Sequence, residues 1–216
     1  MTGYYKIAKS LKISGCILAG GQGTRLGGID KGLVKFGTST LIEHAINRLS
    51  PQVESLIINA NRNTDKYNEF GFPVVTDSNK NFDGPLQGFY TGLVHSGADY
   101  VVFTPCDCPF FPSNLVQQLA QPLIHSHAKL SMAVAGGRPQ PVFTIVSVDL
   151  KNSLGKFLEN GGRKIRHWIE SEKYSSVDFS EPTAFDNINT THDLNKAEAR
   201  LDTSHKGCLF DSSFVS

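Results

Sequence analysis

The segment Leu18-Ala19-Gly20-Gly21-Gln22-Gly23-Thr24-Arg25-Leu26-Gly27-Gly28-Ile29-Asp30-Lys31 puts five glycines into nine residues and sets two cations beside them. Glycines offer bare backbone N–H groups and freedom of φ, the means by which a loop wraps an anion. Arg25 adds a planar fork that can take two phosphate oxygens, and Lys31 a point charge. Together they describe a cradle for an anion such as a phosphate. A Walker A loop would end in Gly-Lys-Ser/Thr, but Gly32 follows Lys31. Leu26 stands where a dinucleotide fingerprint needs its third glycine. The plainer alternative is a flexible turn with solvated charges, which leaves basic residues after a buried strand without a reason.

Asn59, Asp77 and Asp107 each fall at or just past the end of a run that reads as a strand. In an open parallel sheet ligands bind outside the carboxyl ends of the strands, so these distant residues are expected to converge. Asn59 offers a donor and an acceptor to a base or ribose edge, and Asp77 can accept from an N–H. Either could instead be a turn residue bonding its own backbone. Asp107 is bracketed by Pro105 and Pro109, which stiffen its backbone. A carboxylate so placed suits a hard cation such as Mg²⁺, held by one or two carboxylates with phosphate oxygens and water; a plain turn aspartate is the alternative. Gly84-Pro85-Leu86-Gln87-Gly88 opens a helical run, whose N-terminus is either a ligand contact or a close packing point. No serine or cysteine has a signalled base, so nothing marks a protein nucleophile. The seven histidines show no ligand spacing.

The elements that position these residues alternate. Ile13–Ala19, Leu56–Asn59, Pro73–Thr76 and Tyr100–Thr104 read as short buried strands, the last stopped by Pro105. Between them, Leu41, Ile42, Ala45, Ile46 and Leu49 recur at helical spacing behind a capping box, Thr40-x-x-Glu43. Leu86–Leu93 is a second helical run, and Pro112 is placed to open a third through Leu119. Lys129–Ala135 and Val142–Val148 read as a hairpin joined by the Gly136–Pro141 turn. A last helix is expected from near Thr190 to about Leu201, with a frayed tail over 203–216. Trp168, at helical spacing from Ile165 and Ile169, reads as core. Strand and helix in alternation imply an α/β fold with a mostly parallel sheet covered on both faces.

Leu-Ala-Gly-Gly-x-x-x-Arg-x-Gly-Gly-x-Asp-Lys resembles the signature of the molybdenum cofactor guanylyltransferases, which make molybdopterin-guanine dinucleotide. Ile58-Asn59-Ala60-Asn61-Arg62, Thr76-Asp77-Ser78, Gly84-Pro85-Leu86-x-Gly88, Pro105-Cys106-Asp107-x-Pro109 and Asn187-Ile188-Asn189-Thr190 resemble further family motifs in the family's order, covering about Ser14 to Leu201. Gly21-x-Gly23-Thr24-Arg25-Leu26 is a looser form shared with sugar-phosphate nucleotidyltransferases. The resemblance implies a Rossmann-like three-layer sandwich of the nucleotide-diphospho-sugar transferase type, and transfer of GMP from GTP to the terminal phosphate of molybdopterin. A cytidylyl or sugar-phosphate enzyme is the related alternative; a non-catalytic nucleotide-binding protein is a further one.

By the same resemblance Leu18, Ala19, Gly20, Gly21, Lys31, Asn59, Asp77, Gly84, Gly88 and Asp107 meet the nucleotide. Arg25, Lys31 and Asp107 serve the chemistry, with Mg²⁺ on Asp107. The acceptor carries a phosphate and a pterin, so its side calls for positive charge and amide readers; Asn187, Asn189 and Arg138 are the candidates. Arg163, Lys164 and Arg166 could join them or form a solvated helix face.

The composition is ordinary for a globular protein, with 39% hydrophobic and 19% charged residues, and the net charge of +1 gives no global pull toward nucleic acid or membrane. The 216 residues suffice for a single nucleotidyltransferase domain with its core over about 13–201. Cys16, Cys106, Cys108 and Cys208 match neither a zinc site nor a redox pair and read as reduced thiols. With no secretory or membrane-spanning run, a cytoplasmic enzyme is expected, with at most transient contact with cofactor-insertion or acceptor proteins.

Overall fold

The strands are β1 (Ile13–Leu18), β2 (Lys35–Phe36), β3 (Ser39–Thr40), β4 (Ser55–Asn59), β5 (Val74–Val75), β6 (Tyr100–Pro105), β7 (Leu130–Ala135), β8 (Arg138–Ser147) and β9 (Ser175–Phe179). The helices are α1 (Leu41–Leu49), α2 (Thr64–Asn68), α3 (Pro85–His95), α4 (Leu115–His125), α5 (Lys151–Glu159), α6 (Ile165–Ser171) and α7 (Thr191–Gly207). This computed structural model describes residues 11–19, 29–78, 84–126 and 128–207, with side chains to Leu201. The expectations placed on Gly20, Gly21, Arg25 and Cys208 lie outside the described residues.

β1 is buried along its length, and its side chains alternate between two packed faces. Ile13 and Ile17 enter one core and Cys16 the other, as a strand covered on both sides requires. It lies parallel to β4 on one side and to β6 on the other. The seven-stranded sheet runs β5-β4-β1-β6-β8-β7-β9, and within it only β8 is antiparallel to its neighbours. α1 and α4 pack on one face through Ile42, Ala45, Ile46, Leu49, Leu115, Leu119 and Leu123. α3, α5 and α6 cover the other through Leu86, Phe89, Leu93, Leu154, Leu158, Trp168 and Ile169. The architecture is the three-layer α/β sandwich the alternating pattern implies.

α1 begins where the capping box places it, with Glu43 accepting from both the backbone N–H and the hydroxyl of Thr40 at 2.7 Å. Other elements differ from the sequence reading. β5 keeps only two residues of the expected four. β6 includes Pro105, which pairs in register with Leu18. α4 starts at Leu115, because Pro112 instead heads a turn in which Leu115 N–H reaches its carbonyl at 3.0 Å; the helix then runs through Pro122 to His125. The β7–β8 turn is only Gly136-Gly137, both at positive φ (56° and 71°), the backbone a two-residue hairpin turn demands. Arg138 is therefore the first residue of β8, not part of the turn. α7 continues to Gly207, beyond the expected end near Leu201. The sequence reading did not foresee α2, α5 or β9.

Between Met132 and Ala133 the β7–β8 register shifts, from Thr144↔Met132 to Gln140↔Ala133. Phe143 lies in this irregular stretch and meets Phe111 at 5.8 Å and Phe185 at 4.9 Å between ring centroids; Phe179 joins at 5.2 Å from Phe185. This cluster ties together the segments that follow Asp107 and precede Asn187. Four buried rings make a stiff footing for both.

Candidate active site

The parallel strands all end at one edge. There Ala19 N–H donates to Asn59 O at 2.8 Å, and Cys106 N–H to Leu18 O at 3.1 Å. Asn59 thus ends β4 and Asp107 follows β6, strands two positions apart in the sheet and about 10 Å from each other at the usual strand spacing. The sequence-chosen polar residues form two clusters on either side of the end of β1.

On the β4–β5 side, Asp77 is the hub. Its Oδ1 accepts from Asn59 Nδ2 at 2.9 Å and from the Thr91 hydroxyl at 2.6 Å, and its Oδ2 from Asn61 Nδ2 at 2.7 Å. Asn61 Oδ1 in turn accepts from Asp77 N–H at 2.8 Å. Asn59 is 4% exposed, and its amide also reaches Val75 O at 3.4 Å. The Nδ2 of Asn59 is thereby committed to Asp77 and Val75, and the half-buried Asp77 is the charged group of this cluster. Asn61 and Thr91 were not singled out from sequence; only the tertiary fold brings a helix hydroxyl to this carboxylate.

α3 enters this cluster at its N-terminus. Gly84 has φ 125° and ψ 174°, a conformation that glycine tolerates and L side chains rarely adopt. Gly88 faces the sheet, where an added Cβ would stand 2.6 Å from Asn59 Oδ1 and 2.8 Å from Leu18 Cδ2. Its position is that of the close packing point.

On the β6 side, Lys31 Nζ lies 3.0 Å from Asp107 Oδ2 and 2.5 Å from Asn189 Oδ1. Asp107 is held in place from several directions. Its carbonyl accepts from Ile188 N–H at 2.8 Å. Arg48 of α1 pins the following loop through Pro109 O at 2.8 Å and Phe111 O at 3.0 Å, and burial lowers its pKa. Cys108 Sγ lies 3.0 Å from Asn187 Oδ1. Burial raises the thiols of Cys16, Cys106 and Cys108 above their ordinary range, so at neutral pH they are neutral packing groups and weak donors. Asn189 and Thr190 N–H groups are taken by Asp193 Oδ2 at 3.1 and 2.9 Å, and hydrogen bonding, first from Thr190, lowers the Asp193 pKa.

Of the two asparagines expected on the acceptor side, Asn189 is thus brought onto Lys31, and Asn187 onto Cys108, the residue that follows Asp107. Arg138 is exposed at the β7–β8 tip, at the same edge of the sheet but outside both clusters. Arg163 Nη1 donates to Leu158 O and Gly162 O, and the Arg163 carbonyl is the nearest atom, at 3.9 Å, to a Cβ built on Gly84. Arg166 pairs with Glu170 at 2.6 Å on an exposed helix face, which fits the solvated-face reading for that residue. Among the described residues no group of three or more His, Cys, Asp or Glu is placed to hold a metal, and no helix is long and apolar enough to cross a membrane.

Residues 15–177 match the MobA-like NTP transferase domain family. A molybdenum cofactor guanylyltransferase of Shewanella sp. (strain MR-4) is 42% identical over 196 residues, covering 90% of this chain and 100% of that protein. The guanylyltransferase of Haemophilus influenzae is 43% identical over 188 residues, covering 87% and 98%. Among solved structures, molybdopterin-guanine dinucleotide biosynthesis protein A from Archaeoglobus fulgidus superposes with a TM-score of 0.74 at 22% identity, over 88% of this chain and 99% of that one. CMP:2-keto-3-deoxy-manno-octonic acid synthetase, solved with CTP, gives 0.74 at 12% identity over 89% and 99%, a likeness of fold alone. With a buried carboxylate and a half-buried ammonium paired at the carboxyl edge of this sheet, and relatives of this identity along nearly the whole chain, the protein belongs to the molybdenum cofactor guanylyltransferase family of MobA-like NTP transferases.

Proposed function

We propose that this chain transfers GMP from GTP to the terminal phosphate of molybdopterin. A phosphate oxygen of the acceptor attacks the α-phosphorus, the bond from that phosphorus to the bridging oxygen of the β-phosphate breaks, and pyrophosphate leaves with the electron pair. The observation that carries the reading is the Lys31–Asp107–Asn189 contact beside the Asp77 cluster: a charged end and a hydrogen-bonding end, about one nucleotide apart on a single sheet edge. Lys31 would neutralise phosphate charge and favour the departing pyrophosphate. Asp77, anchored by Asn59, Asn61 and Thr91, would accept from the N–H edge of guanine. Leu18, Ala19, Gly84 and the loop at Gly20, Gly21 and Arg25 would complete the nucleotide side, with Gly88 keeping α3 close to the sheet. Arg138, Asn187 and Asn189 would face the acceptor. The chemistry needs positioning and charge neutralisation and no protein nucleophile.

Mg²⁺ fits the donors present. Asp107 supplies one carboxylate with its side chain 12% exposed, and the side-chain oxygens of Asn187 and Asn189 are near it. One carboxylate with amide oxygens suits a Mg²⁺ that arrives with nucleotide phosphates, not a metal caged by protein alone. Held by Asp107, it would supply Lewis-acid charge to the phosphate oxygens.

The two clusters lie beside one edge of a single sheet, which supports a single nucleotidyltransferase domain, and free buried thiols support a reducing, cytoplasmic setting. Incubating the protein with Mg²⁺, molybdopterin and each of the four nucleoside triphosphates tests the proposal. A dinucleotide product and pyrophosphate are expected with GTP alone. Equal product with CTP or ATP would overturn the guanine assignment, and no product with any of them would overturn the reaction.

A further inference from the structure

Asp30 precedes Lys31 and is only 5% exposed. Its Oδ1 accepts from the Tyr67 phenol at 2.6 Å and from Gly32 N–H at 3.3 Å; its Oδ2 accepts from Asn63 Nδ2 at 3.0 Å and lies 3.5 Å from Arg62 Nε. Three of these four partners come from the β4–α2 connection and α2 itself. Tyr67 is fully buried, and burial drives its phenol pKa upward, so the hydroxyl remains a donor. A Cβ on Gly32 would stand 2.4 Å from that hydroxyl. The phenol therefore touches the chain on both sides of Lys31: the Asp30 carboxylate before it and the Gly32 backbone after it. A phenylalanine would fill the same volume. The hydroxyl adds only the tie to Asp30.

We propose that Tyr67 is a positioning residue whose phenol, through Asp30, aims the Lys31 ammonium at Asp107 and Asn189. The stretch that follows β4 then serves both clusters, because Asn59 and Asn61 grip Asp77 while Arg62 and Asn63 grip Asp30. Removing the hydroxyl takes away the shortest of the four contacts on Asp30 and so loosens the Asp30–Lys31–Gly32 turn, while the ring still fills its volume. The functional consequence rests on the reading of Lys31 as the cation that meets the nucleotide phosphates; the aiming itself does not.

The test is Tyr67→Phe, alone and on a Lys31→Ala background. In the ligand-free parent the Lys31 ammonium, held by two oxygens, should give a slowed-exchange ¹⁵N resonance, assigned by its loss in Lys31→Ala. Tyr67→Phe should broaden or abolish that signal and weaken Mg²⁺–GTP binding by up to about tenfold, the scale of losing the charged hydrogen bond that Lys31 would make to phosphate. On the Lys31→Ala background it should weaken binding no further. Asn63→Gly is a second variant, since Asn63 has φ 51° and glycine accepts that backbone while deleting the other amide on Asp30; it should act in the same direction. An ammonium signal unchanged in both variants, or an equal loss of GTP affinity with and without Lys31, would overturn the proposal. If Lys31→Ala binds GTP like the parent, the phosphate role of Lys31 fails, and the ammonium signal still decides whether Tyr67 aims it.

Discussion

Lys31 and Asp107 form an ion pair of 3.0 Å at the carboxyl edge of the sheet, with 19% and 12% of their side chains exposed. A pair this shielded feels less screening than a surface bridge, and both partners are groups a nucleotide and its cation would claim. On the function proposed above, a cation arriving on Asp107 would compete with Lys31 for the carboxylate. The ammonium, with Asp107 and Asn189 taking two of its three donors, would turn its third toward phosphate.

Asp107→Ala separates those two effects. Without Mg²⁺, GTP should bind more tightly than to the parent, because Lys31 loses an internal partner and the cleft loses a negative charge. With saturating Mg²⁺, pyrophosphate release should fall at least about hundredfold, the scale of losing one preorganised electrostatic group. The thermal melt should change little, since Lys31 keeps Asn189. Calorimetry in EDTA and a pyrophosphate assay give the two readings. Parent-like turnover contradicts the metal role of Asp107, and weaker binding in EDTA contradicts the exchange of partners.

Gly88→Ala tests the other cluster. The new methyl would lie 2.6 Å from Asn59 Oδ1, so Asn59 must move and Asp77 loses a donor. Overpacking of this kind costs about 1–3 kcal/mol, so the melting temperature should fall and GTP affinity with it. A variant with lowered stability but unchanged GTP affinity would show that the Asp77 cluster does not read the base.

Stability should also fall in alkali. Cys16, Cys106 and Cys108 have pKa values raised by burial above the ordinary 9.0. Below that value the thiols are protonated in both states and their contribution is intact. Above it the unfolded chain releases protons that the folded chain retains, so stability is lost as pH rises, by up to about 1.4 kcal/mol per thiol per pH unit. Denaturant midpoints from pH 7 to 10.5 should decline beyond pH 9, and less steeply in Cys16→Ala than in the parent. An identical slope in the two proteins would show that Cys16 does not titrate in this way.

The sequence revealed most where a local rule was at work. The Thr40–Glu43 box fixes the start of α1, and the buried run of β1 announces a central strand. Asn59, Asp77 and Asp107 could be placed at one edge because parallel strands must end together. What stayed hidden depends on contacts between distant segments. Thr91 reaches Asp77 only once α3 is laid on the sheet, and Tyr67 lies 37 residues from Asp30 in a helix too short to leave a periodic signal. β9 alternates in burial but carries two serines and an aspartate, too polar for its apolar positions to stand out. Arg25 and the glycines between Ala19 and Ile29 lie outside the described residues, so the loop that first suggested a phosphate ligand keeps its role by proposal.

Asn187 and Asn189 should separate under mutation, although their sequence motif suggests a matched pair of pterin readers. Asn189 Oδ1 takes the Lys31 ammonium at 2.5 Å, while Asn187 Oδ1 faces Cys108 Sγ at 3.0 Å. Asn189→Ala removes one of two oxygens that aim Lys31, so it should weaken Mg²⁺–GTP binding as well as acceptor binding. Losing one neutral or charge-assisted hydrogen bond predicts a change between a fewfold and about tenfold. Asn187→Ala gives up only a weak thiol donor, so its GTP affinity should stay within about twofold of the parent while molybdopterin affinity falls. Cys108→Ser provides the control, since a hydroxyl can replace the thiol as donor to Asn187 and should preserve both affinities. GTP and molybdopterin affinities measured separately on the three variants decide the matter. If Asn189→Ala leaves GTP binding untouched, the contact with Lys31 is incidental to the nucleotide. If Asn187→Ala instead lowers GTP affinity as far as Asn189→Ala does, both asparagines belong to the nucleotide end, and the acceptor must be sought toward Arg138 at the tip of β7 and β8.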